Sequence, residues 1–186
     1  MIEIVPLSAG YVPDLMPVAK AELGPDYLTE DSFLDVIDAE NDFCKVALMD
    51  GRPVGFSICN VLYRDGIDPE MRLPDCPGRD RLMESAPVGY INAVSVSDAV
   101  KGHGAGYKMM DACLAEFAAR GVTTACALAW KSVTGVTNIG HILERHGLES
   151  VMELKGYWND LHPDEDICPV CGNPCRCSAV LYIGQI

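Results

Sequence analysis

The sequence is poor in positive charge. Lys and Arg together number 14 against 27 Asp and Glu, and the formal net charge is −13 over 186 residues. Non-specific binding to DNA or RNA needs clustered positive charge, so no nucleic-acid partner is expected. An acidic surface suits a cationic partner such as an amine, and it also simply keeps a protein soluble. No run approaches the roughly 20 apolar residues that span a bilayer, so no membrane partner is expected. The opening MIEIVPLSAG lacks a basic end followed by a long apolar run and does not read as a secretory signal. These absences predict a soluble, cytoplasmic protein. There is no internal repeat and no low-complexity tract. The length suits one domain, so residues 1–186 are read as a single unit that includes a Cys-rich loop at 159–177.

Two familiar nucleotide motifs are missing as well. The stretch KGHGAGYKMM carries glycines at alternate positions, Gly102, Gly104 and Gly106, between a strand-like and a helix-like segment. A dinucleotide-binding turn of the form Gly-x-Gly-x-x-Gly/Ala needs a small third residue. Counted from Gly102 that residue is Tyr107, and from Gly104 it is Met109. The Gly-x-x-x-x-Gly-Lys-Ser/Thr phosphate loop does not occur.

What is present is a mixed order of elements. IEIVPL reads as a strand, and Ser8 as a cap for a helix from Gly10 to Leu23 with Leu15, Val18 and Ala19 on one face. TEDSFLDVIDAEN has the helical spacing of Phe33, Val36 and Ile37. DFCKVALMDGRPVGFSICNVLY reads as a hairpin turning at Asp50-Gly51. Arg64 to Pro87 holds four prolines and little periodicity, and is expected to be a long loop with at most a helical turn. VGYINAVSV is the next strand. The helix after the glycines puts Met110, Cys113, Leu114 and Phe117 on one face and ends at Gly121. VTTACALAW reads as a strand, VTNIGHILERHG as a helix, and LESVMELKGYW and SAVLYIGQI as the last two strands. This order predicts an α+β fold on a mixed sheet and excludes a pure doubly wound fold.

The first turn of a helix offers unpaired N–H groups and about half a unit of positive charge. Glycines let the backbone approach closely and turn in ways closed to other residues. The amides of Gly102, His103, Gly104, Ala105, Gly106 and Tyr107 are therefore expected to wrap a pyrophosphate.

KGHGAG resembles the acetyl-CoA pyrophosphate loop of the GNAT superfamily of N-acetyltransferases, Arg/Gln-x-x-Gly-x-Gly/Ala. Lys101, Gly104 and Gly106 occupy its positions, with Lys101 where the family has Arg or Gln. The element order resembles that family along nearly the whole chain. The resemblance implies an acyl-CoA N-acyltransferase fold. It also implies transfer of an acetyl group from acetyl-CoA to a primary amine of a small molecule or peptide. It implies that Val94, Ser95 and Val96 pair with the pantetheine arm and the thioester, and that Asn138 contacts the coenzyme. The family's leaving-group tyrosine, four residues before a Gly-Phe pair, falls here on Leu143 before Gly147-Leu148. Tyr107, His141 or His146 then stands in as the acid, or the thiolate leaves without one. A further reading is a non-catalytic acyl-CoA-binding or protein-interaction module. Tyr90 and Glu84 are candidate bases that no motif marks, so no catalytic residue is assigned. Monomer and homodimer both stay open.

The nine cysteines divide into groups. Cys44, Cys59, Cys113 and Cys126 lie in apolar segments and read as buried thiols, and Cys76 has no evident role. Cys168, Cys171, Cys175 and Cys177 are spaced C-x2-C-x3-C-x-C. Cys-Pro-Val-Cys-Gly resembles the knuckle of zinc ribbons and rubredoxins, and four thiolates can close a structural zinc site. A disulfide is the alternative, disfavoured in a reducing compartment, and the spacing matches neither ferredoxin pattern. His162 is a substitute ligand for one thiolate. The knuckle is expected between the last two strands, where the implied fold walls its acceptor site.

Overall fold

A computed structural model describes residues 1–25, 27–161, 168 and 170–186. The first strand, β1 (Ile2–Pro6), leads through a 3-10 turn at Ala9–Tyr11 into helix α1 (Val12–Leu23). Ser8 makes no side-chain cap, and α1 instead begins with proline in its first turn, where the missing N–H bonds nothing anyway. Helix α2 (Glu30–Asp38) is closed by a capping box. Ser32 N donates to Thr29 Oγ1 at 3.2 Å and Thr29 N to Ser32 Oγ at 3.1 Å.

Strands β2 (Asp42–Met49) and β3 (Arg52–Leu62) form the expected hairpin. Asp50 and Gly51 both have positive φ, 53° and 79°, as a tight hairpin turn that matches the strand twist requires.

The stretch from Arg64 to Pro87 is not a long loop. It folds as two short helices, α3 (Arg64–Met71) and α4 (Pro77–Ser85). Proline opens α4, and Cys76 caps it by accepting from Arg79 N at 3.4 Å. Ile67, Met71 and Leu82 are fully buried against Tyr90, Leu128 and Leu181. Each helix is too brief to show periodicity, so tertiary burial rather than propensity holds it.

Then come β4 (Val88–Val96), a 3-10 turn at Asp98–Val100, α5 (Ala105–Ala119) and β5 (Thr124–Lys131). After them are α6 (Gly140–Arg145), β6 (Glu149–Lys155), α7 (Tyr157–Leu161) and β7 (Ser178–Gln185). The run GYW, expected to extend β6, belongs instead to a turn and the start of α7.

The seven strands form one sheet in the order β1-β2-β3-β4-β5-β7-β6, in which only β4 and β5 run parallel. Helices α5 and α6 cover one face, while α1, α2, α3, α4 and α7 cover the other. A bulge in β4 interrupts this alternation. Ile58 pairs with Ala93 and Cys59 with Ile91, so Asn92 is an extra residue. Ile91 packs with Phe117 of α5, yet Ala93, two residues on, packs with α1 and α2. A bulge bends its strand and re-aims the side chains beyond it.

Gly89 sits under the Phe117 ring, and a Cβ built there would lie 2.6 Å from Phe117 Cγ. Gly89→Ala is expected to destabilise by about 1–3 kcal/mol through overpacking, and thermal melts should show it. Gly66→Ala makes the contrast. A Cβ there meets nothing nearer than Leu62 Cδ2 at 4.0 Å within α3, and the change is expected to stabilise by about 0.5–1 kcal/mol.

Candidate active site

The bulge at Asn92 creates the site. β4 pairs with β5 only at Gly89, Tyr90 and Ile91, opposite Ala125, Cys126 and Ala127. Beyond that point β5 stays bonded to β7 through Lys131, while β4 stays with β3. From Asn92 to Val96 the β5-facing edge of β4 therefore has no strand partner among the described residues. The split opens a cavity of about 530 Å³. Val94, Ser95 and Val96 form one wall, and Leu128, Ala129 and Trp130 of β5 the other. The glycine turn with Asn138, His141 and Ile142 also lines it, as do Tyr27, Trp158, Asn159, Cys168 and Cys175.

Each glycine of the turn has its own cause. Gly102 and Gly104 adopt φ of 84° and 81°, and Gly104 is the N-cap of α5 with no side-chain cap. Gly106 makes room for α6, since a Cβ there would lie 2.8 Å from Ile142 Cδ1. The first helical bond joins Lys108 N to Gly104 O at 3.1 Å. The N–H groups of Ala105, Gly106 and Tyr107 have no acceptor among the described residues. They form an uncapped donor set at the positive end of a long helix.

Lys101 is on the wall, but its charge is already matched. Nζ lies 2.6 Å from Glu22 and 2.6 Å from Asp98. Desolvation lowers its pKa, the two carboxylates raise it more, and the net shift is upward. The expected contacts Val94, Ser95, Val96, Gly102, Gly104, Ala105, Gly106, Tyr107 and Asn138 all reach the cavity. His103 does not reach it; its Nδ1 lies 3.3 Å from Val100 O in the turn.

The cavity fits a coenzyme A arm on one further ground. Ser95 is 4% exposed, lies on the wall, and its Oγ has no partner among the described residues. A buried hydroxyl left unpaired costs about 1–3 kcal/mol, which a polar ligand would relieve.

Among the candidate acids, Tyr107 and His141 are on the wall, their rings 5.9 Å apart. His146 turns away, with Nε2 3.1 Å from Asp111 and Nδ1 2.7 Å from Ile142 O. Leu143 is fully buried in the core beside Phe117, so this position carries no proton donor. Neither candidate base lies on the cavity wall. Burial drives the Tyr90 pKa well above its ordinary value. Glu84 lines a separate groove with Arg64, Asp68 and Arg79. The sequence alone does not single out Glu70, whose Oε1 lies 3.1 Å from Asn92 Nδ2, because it stands in the supposed loop.

The four late cysteines come together. Their sulfurs all lie within 4.8 Å of one another, with Cys171 3.6 Å from Cys177, 3.8 Å from Cys175, and Cys168 3.9 Å from Cys177. A tetrahedron with Zn–S bonds of about 2.3 Å has edges of about 3.8 Å. A disulfide needs sulfurs about 2.05 Å apart, and none is formed. Gly172, at φ 75°, turns the chain so that Arg176 N donates to Cys171 Sγ at 3.2 Å. Burial raises the Cys171 thiol, but this bond and those from the neighbouring thiols outweigh it and bring it down to about 7. Burial pushes Cys175 up to about 12 and Cys177 up to about 11. His162 lies outside the described residues. Cys44, Cys59, Cys113 and Cys126 are buried as expected.

The split sheet and the uncapped helix N-terminus together form a cleft with a phosphate-binding end. The acetyltransferase (GNAT) family matches residues 12–138, and the chain belongs to this family of N-acetyltransferases. That membership favours the enzyme over a non-catalytic binding module. No curated protein sequence matches the chain. Among solved structures, it is similar to Arabidopsis thaliana NAA60 in complex with a bisubstrate analogue, at TM-score 0.72 and 12% identity over 100% of this chain and 98% of that one. It is similar to the Drosophila melanogaster polyamine N acetyltransferase, which forms N acetylagmatine, at TM-score 0.70 and 15% identity over 100% of both. It is also similar to a GNAT family acetyltransferase from Elizabethkingia anophelis with acetyl-CoA bound, at TM-score 0.65 and 15% identity over 100% and 98%. No helix among the described residues is long and apolar enough to cross a membrane.

Proposed function

We propose that this chain acetylates a primary amine of a peptide or small molecule in the cytoplasm, using acetyl-CoA held in the β4–β5 split. The single observation that carries this reading is the uncapped N-terminus of α5 aimed into that split. Ala105, Gly106 and Tyr107 would bond the pyrophosphate, with Gly102 and Gly104 shaping the turn. Val94, Ser95 and Val96 would offer their unpaired strand edge to the pantetheine arm. Bound there, acetyl-CoA supplies an activated thioester. A β4 amide beside its carbonyl would stabilise negative charge on oxygen. Tyr107 or His141, both on the cavity wall, would protonate the departing sulfur. Cys168, Cys171, Cys175 and Cys177 would hold zinc in a closed, structural site that stiffens the acceptor end.

The test is release of coenzyme A thiol with a panel of primary amines: putrescine, spermidine and tetrapeptides with free N-termini. At least one is expected to turn over. Saturable acetyl-CoA binding with no thiol release on any of them would sink the reading.

A further inference from the structure

Glu22 is the one carboxylate on the cavity wall among the described residues, and Glu70 stands one hydrogen bond behind that wall, on Asn92. Several nearby carboxylates are already engaged. Glu22 and Asp98 hold Lys101, Asp111 meets His146, and Glu153 holds Lys131. Glu70 differs. Among the described residues it has no ion pair, and its hydrogen bond comes from an uncharged amide, Asn92 Nδ2 at 3.1 Å. The same nitrogen donates to Asn60 Oδ1 at 3.0 Å. Both N–H groups of Asn92 are thus used, which fixes the amide's orientation. Asn92 Oδ1 and Glu70 Oε2 are left as acceptors without partners among the described residues. Asn92 is the bulge residue at which β4 leaves β5, and it lies on the cavity wall.

We propose that Glu70 and Asn92 receive the acceptor's ammonium where the strands part, and that Glu70 takes its proton. The proposal rests on the acetyltransferase reading and deepens it: the acceptor class is a primary alkylammonium. One N–H bond of the ammonium breaks and its proton goes to Glu70 Oε2. The freed nitrogen pair forms the C–N bond to the acetyl carbon while the C–S pair leaves with sulfur. Tyr107 or His141 gives that sulfur a proton and regains one as the nitrogen loses its second, and Glu70 sheds the first to solvent.

The surroundings support this role. Glu70 is an exposed residue, and the partial desolvation it feels raises its pKa, with Asp42 on β2 adding to the shift and the Asn92 bond and Arg72 opposing it. Tyr90 on β4 and Tyr157 on α7 also face Glu70, and both have pKa values raised by burial, so they stay neutral. A carboxylate with a raised pKa and no cation accepts a proton better than an ion-paired one.

The experiment compares wild type, Glu70→Gln and Glu70→Asp over a pH series with the fastest amine. Glu70→Gln is expected to lower kcat/KM by about 10- to 100-fold at neutral pH. The loss should shrink toward about pH 10, where free amine no longer needs the base. Glu70→Asp should recover part of it, and the Kd for acetyl-CoA should stay unchanged in both. A loss below about threefold, or one equal at every pH, overturns the proposal. A second readout needs no turnover. Spermidine binding to the coenzyme A complex, measured by calorimetry, should weaken at least about tenfold in Glu70→Gln, and equal binding also overturns the proposal. If wild type releases no thiol with any amine, the acetyltransferase reading fails, while this binding measurement still decides on the ammonium subsite.

Discussion

Replacing Cys171 with Ser is expected to strip the chain of zinc and to collapse amine turnover while acetyl-CoA still binds. Cys171 is the hub of the cluster, within 3.6 Å of Cys177 and 3.8 Å of Cys175, and it alone receives the Arg176 N–H among the four sulfurs. A serine oxygen there is a poor ligand for a site of thiolate character. Binding a structural zinc is worth about 10–16 kcal/mol in small zinc peptides, and that energy is local folding energy. Cys168, Cys171 and Cys175 are only partly buried, while Cys177 is buried. Cys168 and Cys175 also line the cavity, so their disorder would reach the acceptor end directly. The coenzyme end, built on α5 and β4, should feel little.

Three measurements read this out. Metal analysis should give one zinc per wild-type chain and near none in the variant. Amine turnover should fall by about 10³-fold if the acceptor wall is lost as a unit, as expected for groups that position a reactant. The acetyl-CoA Kd should stay within about threefold. Cys76→Ser is the control, because serine caps a helix at least as well as the thiol it replaces. Zinc-free wild-type protein with full turnover and unchanged acceptor preference would defeat the assignment.

Legibility in the sequence tracks how local each cause is. The Asp50-Gly51 turn needs two left-handed residues in a row, and only a few residue pairs supply them, so the hairpin can be read directly. The glycine turn is legible because helix ends and positive φ have a short-range signature. The cysteine knuckle is legible because its spacing carries its geometry. Other features depend on distant parts of the chain. Helices α3 and α4 exist because Ile67, Met71 and Leu82 find Leu128 and Leu181 across the sheet, and no local pattern announces that. The Asn92 bulge arises from a register mismatch between β3 and β4, and VGYINAVSV carries no trace of it. Without those two features, Glu70 looks like one more charge in a loop. Lys101 shows the same limit from the other side: the sequence shows a cation, but not that Glu22 from α1 has claimed it.

Because Lys101 is already claimed, backbone and side chain should differ sharply in what they contribute to coenzyme binding. Gly104→Val is expected to weaken acetyl-CoA binding by about 10²–10⁴-fold, and Lys101→Met by about tenfold or less. At Gly104 nothing lies within 4 Å of an added Cβ, so no clash is involved. The obstacle is φ of 81°, which a β-branched residue resists by about 1–2 kcal/mol or more. The turn relieves that strain by rotating, and the N–H groups of Ala105, Gly106 and Tyr107 rotate with it. A hydrogen bond to a charged group contributes about 1.5–3 kcal/mol, so two misdirected amides account for about 3–6 kcal/mol. Lys101 has less to lose. Its Nζ is shared between two carboxylates at 2.6 Å, and an approaching phosphate must compete with both. Removing it even leaves Glu22 and Asp98 unbalanced near the site, and that repulsion accounts for the modest loss. Calorimetry on the two variants decides the matter, with thermal melts confirming that Gly104→Val stays folded. If Lys101→Met matched or exceeded Gly104→Val, the pyrophosphate would be held by the lysine's charge, and the uncapped helix would be incidental.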